Sequence, residues 1–273
     1  MLRLPARLTA LTVVGALALA VAAPVAAADH EAHVRVLHGS PDAPSVDVYV
    51  NDAKVDALSG LEFGDLSDYV AVPGDTYAIK VCATADATIC PIDVPALEVM
   101  DGVKYTIAAT NDLASIEAQV LVDDATPSLD ETQVRVVHFS ADTPAVDVLT
   151  QDGSATVVDA LAYPNATDYL SLPAGSYDLK VCADADNTVC PLDPGALDLA
   201  AGTAYSVFAI GSLDGATLTA AVGVDAVAAP ATDTVADGET TPAAPALPVL
   251  LLGAIGVAAF VGGLRLTSVR ARR

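Results

Sequence analysis

Apolar residues recur at every second position along short runs of this chain. Val34, Val36 and His38 alternate with Arg35 and Leu37, and Val46, Val48 and Val50 alternate with Asp47 and Tyr49. Tyr77, Ile79 and Val81 follow the turn pair Pro73-Gly74, and Val103, Tyr105 and Ile107 follow Asp101-Gly102. A period of two is the signature of a half-buried strand. Short β-branched and aromatic runs, broken by Pro, Gly or Asp about every ten residues, predict an antiparallel β-sandwich. No stretch of useful length carries the helical period.

The pattern is written twice. VRVLHGSPDAPSVDV at residues 34–48 returns as VRVVHFSADTPAVDV at residues 134–148. Cys82 matches Cys182, Cys90 matches Cys190, and Tyr69, Pro73, Tyr77 and Tyr105 match Tyr169, Pro173, Tyr177 and Tyr205, always 100 positions apart. A register held over that length predicts two complete domains. The expected boundaries are 29–124 and 132–226, joined by an acidic linker at 125–131. Each copy is close to an immunoglobulin-like domain in size. The predicted fold is therefore all-β: two tandem immunoglobulin-like antiparallel sandwiches.

The two ends of the chain change the picture. Arg3 and Arg7, an uncharged apolar run and the small residues before Asp29 have the form of a secretory signal over residues 1–28. Residues 227–246 are rich in Ala, Pro and Thr and read as a linker that buries no core. Residues 247–264 carry no charge, and as a helix they would span roughly 27 Å, enough for a hydrocarbon core. Arg265, Arg270, Arg272 and Arg273 in the tail 265–273 place that side in the cytoplasm. The expectation is an exported, membrane-anchored protein with its body outside. A cleaved sorting tail is the rival reading, although no LPxTG motif precedes the run. Between Asp29 and Glu239 lie all 35 acidic residues against six cations, a net charge of −29. Such a surface repels nucleic acid and attracts cations.

VRVLHGSPDAPSVDVYV, followed by Asp68-Tyr69 and a Pro-Gly-x-x-Tyr hairpin, resembles the family catalogued as domain of unknown function 4397. The likeness covers both copies. It implies secreted or surface β-sandwiches, often in tandem, and implies no activity, so no functional residue is carried over from it. The second copy departs from the pattern at Phe139, Ala141 and Thr143.

Four groups of residues carry candidate chemistry. In an exported chain the two C-x7-C pairs predict local disulfides, Cys82–Cys90 and Cys182–Cys190, since that spacing is not a zinc knuckle. Asp184, Asp186, Asp193 and Asn187 around the second disulfide loop are candidate calcium ligands, because oxygen donors suit a hard cation. They lack the glycine and distal glutamate of an EF-hand loop, and the alternative is an ordinary solvated loop. His38-x-Ser40-x-Asp42 and His138-x-Ser140-x-Asp142 hold the letters of a hydrolase triad, but along an extended segment the serine falls in the middle, where the histidine belongs. Ser40, Asp42, Ser140 and Asp142 are therefore read as turn caps. The functional expectation is a non-catalytic surface module that binds or adheres to a protein or glycan, without a cofactor other than calcium. A structural envelope role and a calcium-binding surface module are the alternatives, ahead of a hydrolase.

Overall fold

The computed structural model describes residues 31–229. The signal-like segment, the anchor expected at 247–264, the basic tail and most of the linker before the anchor lie outside these residues. No helix among the described residues is long and apolar enough to cross a membrane.

The first copy contains β1 (Glu31–His38), β2 (Val46–Val50), β3 (Ala53–Lys54), β4 (Val70–Pro73), β5 (Asp75–Ala83), β6 (Ile92–Val99), β7 (Lys104–Thr110) and β8 (Glu117–Val122). The second contains β9 (Glu131–His138), β10 (Val146–Thr150), β11 (Thr156–Leu161), β12 (Leu170–Pro173), β13 (Gly175–Ala183), β14 (Leu192–Leu199), β15 (Thr203–Ile210) and β16 (Thr219–Val227). Each copy forms two four-stranded sheets, ordered β4-β1-β7-β8 and β3-β2-β5-β6 in the first and β12-β9-β15-β16 and β11-β10-β13-β14 in the second. The apolar beat predicted from sequence fills the sandwiches. Val34 and Val36 of β1, Val48 of β2, Val81 of β5 and Ile107 of β7 meet in the first core.

The antiparallel expectation needs correction at one ladder in each copy. β1 runs parallel to β7, from His33 opposite Lys104 to His38 opposite Ala109, and β9 runs parallel to β15. The opening strand thus enters the sheet beside a strand late in the copy, and no tight hairpin can make that pairing.

The off-beat residues of β1 are Arg35 and Leu37. They do not meet solvent, because the two copies pack their β1 and β9 sheets face to face. Leu37 and Ala108 from the first copy join Val137, Phe139, Phe208, Ile210 and Ala221 from the second in a third apolar cluster. Phe139 and Phe208 stack within it, with ring centroids 6.2 Å apart. β1 and β9 are therefore buried on both faces.

The last strand breaks the repeat spacing. Ile107 pairs with Val120, whereas Val207 pairs with Val222, so β16 is displaced by two positions against the offset of 100. Gly223 then occupies the place of Leu121. Its missing side chain leaves room at the seam, since a Cβ there would lie 2.6 Å from Nη1 of Arg35 and would also strike Leu66. The other half of the seam uses the opposite pairing, with Ala166 in the place of Leu66 and a leucine at position 121. Replacing Gly223→Val should overpack the seam and lower stability by about 1–3 kcal/mol. Urea unfolding checks this, and an unchanged midpoint would contradict the tight approach.

Candidate functional site

The seam contains two arginines and two aspartates, each at most 4% exposed. Arg35 of β1 reaches across to Asp225 of β16, and Arg135 of β9 reaches back to Asp123, the residue after β8. Each guanidinium also donates from Nη1 to a carbonyl of the other copy: Arg35 to Val224 at 3.1 Å and Arg135 to Val122 at 2.9 Å. The second oxygen of each aspartate is satisfied within its own copy. Asp123 Oδ2 accepts from Tyr69 and Thr106 at 2.6 Å each, and Asp225 Oδ2 accepts from Tyr169 at 2.7 Å and Ser206 at 2.6 Å. The guanidinium carbons lie 4.6 Å from the Tyr69 ring centroid and 4.8 Å from that of Tyr169. Burial, followed by the Asp123 carboxylate, pushes the Tyr69 hydroxyl far above its ordinary range, and Tyr169 is raised in the same way by burial and Asp225. Both phenols therefore stay protonated and serve as fixed donors. Lys104 adds a further cross-copy bond, donating to the Asp225 carbonyl at 2.7 Å.

The His-x-Ser-x-Asp segments lie directly after β1 and β9. His138 Nε2 is 3.1 Å from the Pro144 carbonyl, which can only accept, so Nε2 carries the proton. Nδ1 then accepts the Ser140 amide at 3.3 Å. Ser140 Oγ touches Asp142 and Thr143, not the imidazole. Asp142 accepts from the Ser212 hydroxyl and from the amides of Leu213 and Asp214, pinning the β15–β16 loop. Burial pushes the Asp142 carboxyl up, but these donors outweigh it and hold the group below its ordinary value. Asp42 takes the Leu113 amide at 2.6 Å. Ser40 differs: its hydroxyl is buried and, like His38 Nδ1, has no partner among the described residues. Ala43 stands where Thr143 bonds Ser140, which removes one partner that the second copy has.

The disulfides are local, Cys82–Cys90 and Cys182–Cys190. Within their loops Asp86 and Asp186 are turn caps, each accepting from the amide and hydroxyl of the threonine two residues on. Asp193 accepts from the Gly195 amide and from Gln151. The structure thus does not gather the four residues proposed from sequence around one point. It brings Asp184 instead to Asp147 of β10 and Asp159 of β11, with one carboxylate oxygen from each lying within 4.8 Å of the others. Among the described residues this is the group able to hold a metal ion. Sequence reasoning missed Asp147 and Asp159 because they come from separate strands, whereas Asp184, Asp186 and Asp193 are neighbours in the chain.

Among its described residues the first copy has no such trio. There Asp47 Oδ2 accepts the Lys54 ammonium at 2.6 Å, while Oδ1 accepts the Gly60 amide at 2.8 Å and the Thr84 hydroxyl at 3.0 Å. Burial pushes this carboxyl up, and Lys54 first among its partners brings it below its ordinary value.

The family model described as Domain of unknown function (DUF4397) matches residues 32–149 and again 132–249. The chain belongs to this family. Each DUF4397 match begins at the opening strand of a copy, and the first runs on through the linker into β10. No curated protein matches the chain. Among solved structures, it is similar to the Bacillus anthracis TIE protein, at 12% identity and a TM-score of 0.23, over 67% of this chain and 34% of that one. A leucine-rich repeat protein from Bacteroides thetaiotaomicron is similar at 13% identity and a TM-score of 0.17, over 67% of this chain and 26% of that one. The chain spans about a third or less of these proteins, and at such scores the likenesses carry no argument.

Two outcomes follow from the geometry. Arg35→Met should cost about 3–5 kcal/mol in urea unfolding, because it strands a buried Asp225 carboxylate, and adding Asp225→Asn should recover part of that loss. Strictly additive losses would contradict the pairing. Burial also pushes the His138 imidazole below its ordinary value, outweighing its bonds to the 143–144 backbone. The unfolded chain then binds the proton first, near pH 6.5. Stability should fall as pH drops below about 6.5, and His138→Gln should flatten that part of the profile. Identical slopes in wild type and variant would refute this origin.

Proposed function

We propose that this protein is an exported, membrane-anchored binding or adhesion module whose two immunoglobulin-like sandwiches act as one non-catalytic body. The observation that carries the reading is a pair of apolar side chains held at equivalent places. Ile89 and Val189 lie in the two disulfide-closed loops and are 56% and 54% exposed on a strongly acidic molecule. A loop already closed by a disulfide loses less conformational entropy on binding. Apolar residues presented on such loops are suited to enter a pocket of a protein or glycan partner. The interlocked copies support the reading further, since they hold both loops in constant register. Disulfides accord with an oxidising compartment outside the cell. The uncharged run at 247–264, followed by arginines, supports anchoring with the body outside.

Truncation before Ala246 should release the body into the medium, and continued membrane retention would count against the anchor. The released body should retain a ligand on a glycan array or among surface proteins. Ile89→Asp combined with Val189→Asp should abolish that binding while leaving the circular dichroism unchanged. Undiminished binding by the double variant would move the interaction away from these loops.

A further inference from the structure

We propose that the interior of the second sandwich binds a small, neutral, apolar molecule of about the size of benzene. Between its two sheets lies a cavity of about 110 Å³, whose wall includes Val136 of β9, Leu170 of β12, Leu179 of β13, Leu197 of β14 and Val207 of β15. In the first sandwich the residues 100 positions earlier line a cavity of only about 40 Å³. The two copies share one strand order, so each serves as a control for the other. The larger space belongs to the second sequence and not to the fold.

Equivalent side chains record the same difference. Val36 is 1% exposed and Val136 9%, Val81 2% and Val181 8%, Ala109 2% and Ala209 8%. The three second-copy residues all line the cavity. Ile107 is buried opposite Val36, whereas Val207, opposite Val136, lacks one methylene and is only half-buried. A second cause lies in the stretch after β2 and β10. In the first copy a 3₁₀ turn, Asp56–Leu58, carries Leu58 into the core, where it is 4% exposed and lines the small remaining space. In the second copy that stretch is strand β11, and its half-buried Val157 forms the wall instead.

The wall decides the class of ligand. Only apolar atoms face the cavity. Two lining residues carry hydroxyls, and both are engaged elsewhere: Thr150 donates to Asp152 at 2.6 Å and Tyr177 to the Pro173 carbonyl at 2.7 Å. A polar group on the ligand would find no partner and would lose its hydration uncompensated. Water is disfavoured for the same reason, since it needs several polar partners. Apolar cavities of about 150 Å³ take benzene or xenon, which sets the size of the ligand here. The acidic surface repels an anionic head group, so the ligand is neutral. Leu172, Tyr177 and Leu197 on the wall are half-buried, and Tyr177 pairs with Leu197, so a ligand can enter from that side.

The test uses the purified full chain, melted with and without benzene and followed by methyl NMR. Benzene at about tenfold excess over Kd should raise the midpoint by about 3–6 °C. The methyl shifts should fall on Val136, Leu179 and Val207 and leave Ile79 and Ile107 of the first copy unmoved. Val207→Ile, which installs the first copy's residue, combined with Ala209→Val should fill the cavity. That variant should melt higher without benzene and lose the response. Should the pair overpack the core, Val207→Ile alone should still weaken the response. Phenol, of similar size but with a hydroxyl to satisfy, should act far more weakly. The site is refuted if wild type shows no shift, if the filled variants respond like wild type, or if the perturbed methyls lie in the first copy. An equal response to phenol would overturn the apolar class of the ligand.

Discussion

Four charges removed from water fix how the two copies of this molecule fit together. Arg35 and Asp225, with Arg135 and Asp123, cross the seam between the copies in opposite directions. A buried ion pair adds little net stability over a well-packed apolar contact, but any arrangement that separates its members carries a large cost. The seam therefore acts mainly as a register device. Only one placement of the copies returns each guanidinium to a carboxylate, a carbonyl and an aromatic face at once. The tyrosines and the hydroxyls of Thr106 and Ser206 complete the aspartates, so neither copy alone satisfies both members of a pair.

This dependence explains why β1 and β9 are buried on both faces. Their inward residues belong to the sandwiches and their off-beat residues to the seam. The exchange of large and small side chains at Leu66 with Gly223, against Ala166 with Leu121, makes the two halves complementary, not identical.

The same divergence appears in the electrostatics. At one buried aspartate the first copy supplies its own cation, and the second surrounds the equivalent carboxylate with further acids. At the His-x-Ser-x-Asp turns, one copy satisfies its serine through Thr143, and in the other Ser40 Oγ has no partner among the described residues. The hairpin beside the buried aspartate differs as well, since Leu149 pairs with Thr156 where Tyr49 pairs with Lys54.

Much of the architecture was legible in the linear order of residues. The period of two and the constant offset of 100 identified strands, sandwiches and two copies, since these features depend on local alternation and on repetition. The disulfide pairs were legible for the same reason, being eight residues apart. The parallel β1–β7 ladder was not, because pairing across some seventy residues leaves no local trace. Asp123 and Asp225 were concealed by the two-residue displacement of β16, which aligns Asp123 with Gly223 when the offset of 100 is applied. Asp147 and Asp159 looked like ordinary members of an acidic surface. Alternation along one strand identifies which residues share a face, but what covers that face depends on chain hundreds of atoms away. Tertiary packing alone decided that Arg35 is interior and that three distant aspartates share one point.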